Sequence, residues 1–172
     1  MTRLGNPRIP FFTEREITTN IYSFIRPIAI VGILPRPVVK TGPTPYGAYH
    51  PCKDVILMPQ KDTAISEPHY WSTLFHEMIH WTGHEKRLNR GMVTDPASPE
   101  YAREELIAEI GAAYLAGAFL EDTDVELNSA IYLREWIRIL KENPNILFSA
   151  GKAADTAVNY LGYQIPKKVG DG

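Results

Sequence analysis

This chain of 172 residues has little of what directs a protein to membranes, disulfide frameworks or nucleic acids. Cys52 is the one cysteine, so no disulfide can form within the chain, and we expect a reducing, cytoplasmic setting. The best candidate for a membrane span, IAIVGIL at 28–34, is far shorter than the roughly 20 residues required. The N-terminus shows no secretory signal pattern. A formal net charge of −2 provides no field that would draw the chain onto nucleic acid or acidic lipid.

The composition and length are those of one globular domain. Apolar residues make up 44% and charged residues 22%, which is ordinary for a folded protein. Thr13 and Glu16 form a capping-box pattern before a helix that would end at Pro27, although a strand fits this segment nearly as well. From 28 to 59, β-branched runs separated by proline and glycine predict three or four short strands. GAYHPCKDVILMP predicts a hairpin whose turn is 51–54.

The chain after residue 65 is predicted to be almost entirely helical. A serine N-cap followed closely by a proline marks two helix starts, at Ser66 and Ser98. Gly83 is expected to end the first of them. The predicted helices are 66–83, 98–120, 124–142 and 143–162. Because the strands precede the helices, the sequence predicts an α+β fold, with a small antiparallel sheet followed by a mostly helical half.

The stretch WSTLFHEMIHWTGHEKRLNR at 71–90 carries the pattern H-E-x-x-H. Residues four apart lie on one face of a helix, so His76 and His80 can direct ring nitrogens at one ion. Glu77 is offset from His76 by about 100° around the helix. It would therefore lie beside the ion, where it can accept a proton from the attacking water. Apolar neighbours on both sides indicate a buried helix, in which these ionisable groups would be costly without a compensating cation.

A third ligand is available in YAREELIAEIGAAYLAG at 101–117. Glu105 and Glu109 are spaced i, i+4, so that Glu105 can reach the ion while Glu109 accepts a hydrogen bond from a ligand histidine. A solvent-facing charged stripe is the alternative for these two, and we assign the adjacent pair Arg103 and Glu104 to the solvent face. Small residues on the same helix favour a close approach to the HExxH helix: Ala102, Ala112, Ala113 and Ala116.

The other histidines fit the metal site less well. The pattern HExxHxxGxxH requires a histidine six places after His80, where the chain has Lys86. His84 lies beyond the expected helix end at Gly83, so metal contact is a minority interpretation for it. His69 is assigned a capping or surface role, and His50 in the hairpin a structural one.

These motifs together resemble the zincin-like metallopeptidase domain of ArdC-type antirestriction proteins and polyvalent proteins of plasmids and phages. The resemblance includes the HExxH segment, the segment YAREELIAEIGAAYL and the later segment NSAIYLREWIRILKENPNILFSAGKAADTAVNYL. It covers 45–163, which would leave an N-terminal arm at 1–44 with a possible helix and first strands, and a C-terminal tail at 164–172.

The resemblance implies a gluzincin-like site for zinc, with manganese as a further possibility. His76, His80 and Glu105 would be the ligands, Glu77 the general base, and Glu109 the residue that orients His76. The expected reaction is hydrolysis of a protein or peptide substrate. The predicted strand DVILMP would hold that substrate by edge pairing, and Tyr49, His50, Tyr101 and Tyr114 are candidates to stabilise the oxyanion.

Two other functions stay open at the sequence level. One is a non-proteolytic antirestriction or DNA-associated module in which the metal is structural. The other is a helical scaffold whose histidines bind carbonyl groups. Family members generally carry an N-terminal domain that binds single-stranded DNA, but the residues before 45 are neither strongly basic nor rich in interleaved aromatics. Single-stranded DNA binding is therefore not expected of them, and no membrane partner is expected.

Overall fold

The computed structural model describes residues 37–119 and 145–163. Strands come first and helices after them, which confirms the α+β class. The predicted helix at 13–27, the apolar run at 28–34, the predicted helix at 124–142 and the tail at 164–172 lie outside the described residues. The described elements are β1 (Val38–Gly42), β2 (Ala48–His50), β3 (Val55–Pro59), α1 (Glu67–Thr82), α2 (Pro99–Phe119) and α3 (Asn145–Tyr160).

The three described strands form a mixed sheet in the order β1-β3-β2. β2 runs antiparallel to β3, with Tyr49 opposite Ile56, as expected for the predicted hairpin. β1 runs parallel to β3, with Val39 also opposite Ile56, so the prediction of a purely antiparallel sheet was wrong. The hairpin places β2 on one side of β3, and β1 pairs with the other side. The direction of that second pairing depends on contacts between distant segments, which the local sequence pattern does not specify.

β3 is consequently the central strand and not an edge strand. The prediction that DVILMP holds an extended substrate by edge pairing was therefore wrong, because both sides of β3 are already paired. Among the described strands, β2 lies at an edge of the sheet. The turn between β2 and β3 is a single 3-10 turn, Pro51–Lys53, closed by Asp54 in the left-handed region at φ 50°.

The predicted helix starts are confirmed. The Ser66 side chain accepts a hydrogen bond from the His69 backbone N–H at 3.2 Å. Ser98 accepts one in the same way from the Tyr101 backbone N–H at 3.1 Å. α1 ends at Thr82, followed by Gly83 as C-cap. No helix within residues 37–119 and 145–163 is both long enough and apolar enough to cross a membrane.

The core lies around α1, which packs against β2, β3, α2 and α3. Leu74, Phe75 and Ile79 of α1 are completely buried. α2 approaches α1 closely at Gly111, where an added Cβ would lie 2.7 Å from Cδ1 of Ile79. The other small residues of α2 confirm this in part: Ala112 and Ala116 are buried, Ala102 is half-buried and Ala113 is exposed.

Candidate metal centre

Three side chains from two helices converge at one point between α1 and α2. Nε2 of His76 lies 3.0 Å from Nε2 of His80, one helical turn further along α1. The Glu105 carboxylate of α2 faces both rings, with Oε2 3.5 Å from His76 Nε2 and Oε1 3.5 Å from His80 Nε2. One donor atom from each of the three residues lies within 4.8 Å of the others. The two segments singled out in the sequence are thus brought together in the fold.

The donor set fits a divalent transition-metal ion. Two imidazoles and one carboxylate are a common set for catalytic zinc, and imidazole also suits other divalent transition ions. Nitrogens that each lie about 2.0–2.1 Å from a tetrahedral ion are separated by about 3.3 Å, close to the spacing of the two rings here. His80 and Glu105 are each only 8% exposed, so the groups are held in a largely dry environment. These three residues would therefore be the ones to hold the ion.

The charge around the histidines also favours a cation. Burial on its own lowers the pKa of His76, but hydrogen bonds to Glu105 and Glu109 outweigh it and raise that pKa to about 10. Burial on its own raises the pKa of Glu105, whereas the hydrogen bond to His76 and the charges of both histidines produce a net lowering. The carboxylates thus stabilise positive charge at the point where the three donors meet.

A further carboxylate faces the outer ring nitrogen of each histidine. Nδ1 of His76 lies 3.4 Å from Oε1 of Glu109, the residue expected to orient it. Nδ1 of His80 lies 3.1 Å from Oε1 of Glu104. A carboxylate on Nδ1 favours the tautomer that leaves Nε2 as the free donor atom.

Glu104 was wrongly assigned to the solvent face. It is 7% exposed, and Nε of Arg90 donates to its Oε2 at 2.8 Å. Burial on its own raises the pKa of Glu104, but the Arg90 guanidinium and His80 lower it overall. Adjacent glutamates on a helix point in different directions. Here the side chains of both Glu104 and Glu105 contact α1, and Glu104 also contacts the loop that follows α1. The doublet Glu104–Glu105 was the available signal, but the arginine that pairs with Glu104 comes from a loop whose path the sequence pattern did not predict.

The Glu77 carboxylate is close enough to His76 for its charge to help raise the pKa of that ring, and it is held by the sheet. It is 8% exposed, and its Oε2 accepts a hydrogen bond of 2.7 Å from the backbone N–H of Tyr49 in β2. β2 comes this close because Gly47 has no side chain. A Cβ at that position would lie 2.7 Å from Cγ2 of Thr73, 2.9 Å from Sδ of Met58 and 3.5 Å from Cγ of Glu77.

The end of β2 is fixed in turn by an arginine from the loop after α1. Arg87 donates to Oδ2 of Asp54 and to the Tyr49 hydroxyl, at 3.0 Å in each case. Its Nε donates to the backbone carbonyl of Trp81 at 2.6 Å, and its guanidinium lies 3.9 Å from the centre of the Trp81 ring. The Tyr49 hydroxyl donates to Asp54 at 2.8 Å. This network joins the hairpin to the C-terminal end of α1.

The remaining histidines lie apart from the three converging donors. His84 is in the turn after α1, where its Nδ1 accepts a hydrogen bond of 3.2 Å from the Lys86 backbone N–H. His69 is at the start of α1, where its backbone N–H donates to the side chain of the N-cap residue Ser66 at 3.2 Å. His50 is exposed at the end of β2.

The residues expected to stabilise an oxyanion differ in the contacts that their side chains make. The hydroxyl of Tyr49 is engaged by Asp54 and Arg87, which argues against that role. The Tyr101 side chain hydrogen-bonds to Glu105 and is therefore next to the three donors. Tyr114 is 41% exposed further along α2.

Comparisons with known proteins agree with this architecture. A family model described as zincin-like metallopeptidase matches residues 38–153. Two proteins of Escherichia coli named DNA primase TraC are each 35% identical over 113 residues, 66% of this chain. A protein of Sinorhizobium fredii described as uncharacterized protein y4eC is 25% identical over the same length. The chain spans only 11% and 8% of the two primases and 37% of y4eC.

Two solved structures of the antirestriction protein ArdC from plasmid R388 share the fold. The Mn(II)-bound structure has a TM-score of 0.65 at 34% identity, and the match covers 83% of this chain and 51% of ArdC. The metal-free structure has a TM-score of 0.63 at 35% identity, covering 83% and 48%. The family model matches two thirds of the chain, and the matched residues include the site between α1 and α2. The chain therefore belongs to the zincin-like metallopeptidase family.

Proposed function

We propose that this chain is a zinc-dependent metallopeptidase of the antirestriction type, with manganese as an alternative ion. His76, His80 and Glu105 hold the ion, and Glu77 is the general base. The observation that carries the proposal is the convergence of these three donors beside a buried carboxylate that has one oxygen engaged by the sheet. A scaffold helix with satisfied histidines would not need four carboxylates around two imidazoles, and their mutual repulsion would be costly.

A bound divalent ion would supply Lewis acidity, polarising the scissile carbonyl and making water a stronger nucleophile at neutral pH. The protein side chains then have separate tasks. Glu77 accepts the proton of the attacking water and passes it to the leaving amine. Its Oε2 is already bound to Tyr49, so Oε1 is the oxygen available for proton transfer. Glu109 and Glu104 hold the imidazoles in the tautomer that binds metal through Nε2.

The substrate would be an extended peptide lying beside β2. Among the described strands, β1 and β2 are the two edges of the sheet, and β2 is the edge whose Tyr49 N–H donates to the base. An extended peptide on that side would pass close to Glu77, where a peptide bond can be hydrolysed. Tyr101 is the candidate to stabilise the oxyanion, because its side chain reaches Glu105.

Replacing Glu77 by Gln tests the proposal. The amide keeps the size and the contact with the Tyr49 N–H but cannot accept the proton, so we expect turnover to disappear while metal is retained. Glu100→Gln, an exposed glutamate in the first turn of α2, is the matched control. The measurement is cleavage of host proteins identified by mass spectrometry, with metal content determined in the same samples. Full cleavage by the Glu77→Gln variant would remove Glu77 from the mechanism.

A second candidate function is favoured by the relatives, whose names include antirestriction and DNA primase proteins. In that case the ion is structural and the chain blocks a partner by binding alone. An antirestriction assay separates the two functions. Protection that survives Glu77→Gln but is lost in His76→Ala supports the structural role, whereas protection lost in both supports proteolysis.

A further inference from the structure

Glu104 is bound on both of its carboxylate oxygens. Oε1 lies 3.1 Å from Nδ1 of His80 and accepts from Nη2 of Arg90 at 2.6 Å. Oε2 accepts from Nε of Arg90 at 2.8 Å. This is a fork-to-fork pairing of guanidinium and carboxylate, which fixes the carboxylate plane as well as its position. The oxygen that faces His80 therefore has little freedom to turn away.

Arg90 is itself held at the C-terminal end of α1. Its Nη2 donates to the backbone carbonyl of Ile79 and its Nη1 to the Thr82 hydroxyl, each at 2.7 Å. The side chain is 7% exposed, so this cation is buried together with its carboxylate partner. Arg90 thus fixes the position of Glu104 in α2 relative to the turn of α1 that carries His80.

Gly83 provides the space that Arg90 occupies. Its φ of −75° is one that any residue adopts, so backbone conformation does not require glycine here. A Cβ at this position would instead lie 2.7 Å from Nη2 and 2.9 Å from Cζ of Arg90, and 3.0 Å from Sδ of Met92. The glycine three places after His80 is therefore explained by the guanidinium packed against it.

We propose that Arg90 and Glu104 form a positioning pair that orients His80 toward the metal ion, with Gly83 as the space that admits the pair. Glu104 accepts from Nδ1–H of His80, which leaves Nε2 to bind the ion, and Arg90 prevents Glu104 from rotating away. The proposal rests on the metal centre proposed above. The two histidines are then supported differently, because Glu109 faces His76 at 3.4 Å, whereas Glu104 faces His80 at 3.1 Å and is braced by a cation.

The test measures metal affinity separately from stability. The dissociation constant for Zn²⁺ is determined by competition with a chromophoric chelator, and the visible spectrum of the Co²⁺-loaded protein reports on the ligand geometry. Glu104→Gln combined with Arg90→Gln removes both charges together, so no unpaired buried charge remains. We expect Zn²⁺ binding about 10- to 100-fold weaker and a changed Co²⁺ spectrum, the usual effect of removing the partner of a ligand histidine.

Gly83→Ala is the second variant, because it displaces the guanidinium while keeping every charge. It should weaken Zn²⁺ binding in the same direction, and it decides the question if the double variant does not fold. Glu100→Gln, on the same helix as Glu104, is the matched control and should keep the wild-type affinity within about twofold.

A purely structural pair would lower the free energy of unfolding of the metal-free protein and leave the Zn²⁺ dissociation constant and Co²⁺ spectrum unchanged. That result would overturn the positioning role while leaving the metal centre intact. Absence of Zn²⁺ binding in the wild-type protein would instead overturn the proposed function, and this inference with it. The two failures are therefore distinguishable.

Discussion

The backbone N–H of Tyr49 donates to Oε2 of Glu77 at 2.7 Å, so a strand of the sheet holds the carboxylate of the helix. The two residues are 28 positions apart in the chain, and the contact depends on how closely β2 lies against α1. A backbone donor cannot be removed by changing the side chain of Tyr49. The contact can, however, be altered through the residues that set the position of β2.

Gly47→Ala should move β2 away from α1. The added methyl group would collide with Thr73 and Met58, and the Tyr49 N–H would no longer be aligned with Glu77. We expect kcat to fall by about 10- to 100-fold, since small displacements of a catalytic group are costly, while bound metal is retained. Gly42→Ala in β1 is the control, because nothing lies within 4 Å of its added Cβ. Equal kcat values for the two variants would contradict this account of Gly47.

Arg87→Ala should destabilise the protein. The substitution removes hydrogen bonds to Asp54, to the Tyr49 hydroxyl and to the Trp81 carbonyl, together with the contact on the Trp81 ring. We expect the free energy of unfolding to fall by about 2–3 kcal/mol, measured by urea denaturation of the metal-free protein.

Smaller changes to the same network should have graded effects. Tyr49→Phe removes only the hydroxyl and should cost about 1 kcal/mol. Lys53→Ala, at an exposed position in the turn between β2 and β3, should stay within about 0.5 kcal/mol of wild type. An Arg87→Ala variant as stable as Lys53→Ala would show that the network contributes nothing.

The ion pair of Asp54 and Arg87 should make stability depend on pH at the acid end. The hydrogen bond from Arg87 lowers the pKa of Asp54 to about 2 from its ordinary 3.8. A carboxyl group with a lowered pKa in the folded state stabilises the fold above the unfolded pKa. That contribution is lost as pH falls from about 4 to about 2. Because the Asp54 side chain is 36% exposed, solvent screening limits the contribution to about 1 kcal/mol.

The measurement is the free energy of unfolding as a function of pH for wild type and Asp54→Asn. The difference between them should shrink as the solution is acidified through that window. Arg87→Ala should remove the same pH-dependent part, since the guanidinium is the main cause of the lowered pKa. A difference that grows toward low pH would have the wrong sign.

Metal binding should stabilise the fold through Glu105. Zinc at about 100 times its dissociation constant should add about 2.7 kcal/mol to the free energy of unfolding of the chelator-treated wild type. Glu105→Ala leaves only two imidazole donors, so zinc at the same concentration should stabilise that variant much less. Glu100→Ala is the control on the same helix. Thermal unfolding with and without zinc measures the effect, and equal stabilisation of all three proteins would exclude Glu105 as a ligand.

Two glycines of α2 should respond in opposite directions to alanine. At Gly111 the new methyl group would press against the completely buried Ile79, with an expected cost of about 1–3 kcal/mol. At Gly117 nothing lies within 4 Å of the added Cβ. Alanine there should gain about 0.5–1 kcal/mol, because glycine is the poorer helix former. Chemical denaturation of both variants tests the pair, and a destabilised Gly117→Ala would contradict the packing described for α2.

The parts of the site that could be predicted from sequence are those set by helical periodicity. His76 and His80 are one turn apart, and Glu105 and Glu109 repeat that spacing on a second helix, so each pair was identifiable without knowledge of the fold. The spacing within a helix is a local property. The alanines expected to bring the two helices together account for the contact only in part, because Gly111 also lies against Ile79 and Ala113 is exposed.

The parts that could not be predicted depend on contacts between distant segments. Glu104 is distinguished from a surface glutamate by its contacts with His80 of α1 and with Arg90, which a loop brings to it. The parallel pairing of β1 with β3 joins segments that are separated by the hairpin, and the residue pattern of β1 does not specify its direction. The backbone donor for Glu77 is likewise invisible, since every residue except proline has an N–H group.

The loop after α1 sends Arg87 toward the hairpin and Arg90 toward α2, with two residues between them. Its length is therefore constrained by both contacts at once. Inserting a single residue between the two arginines would displace one guanidinium from its partners. Either β2, which holds Glu77, or Glu104, which faces His80, would then lose its contact with an arginine. Of the two intervening residues, Leu88 packs against the core and Asn89 has a φ of 46°. Relatives should therefore keep the two-residue spacing and, at position 89, a residue that adopts the left-handed region, such as asparagine, aspartate or glycine.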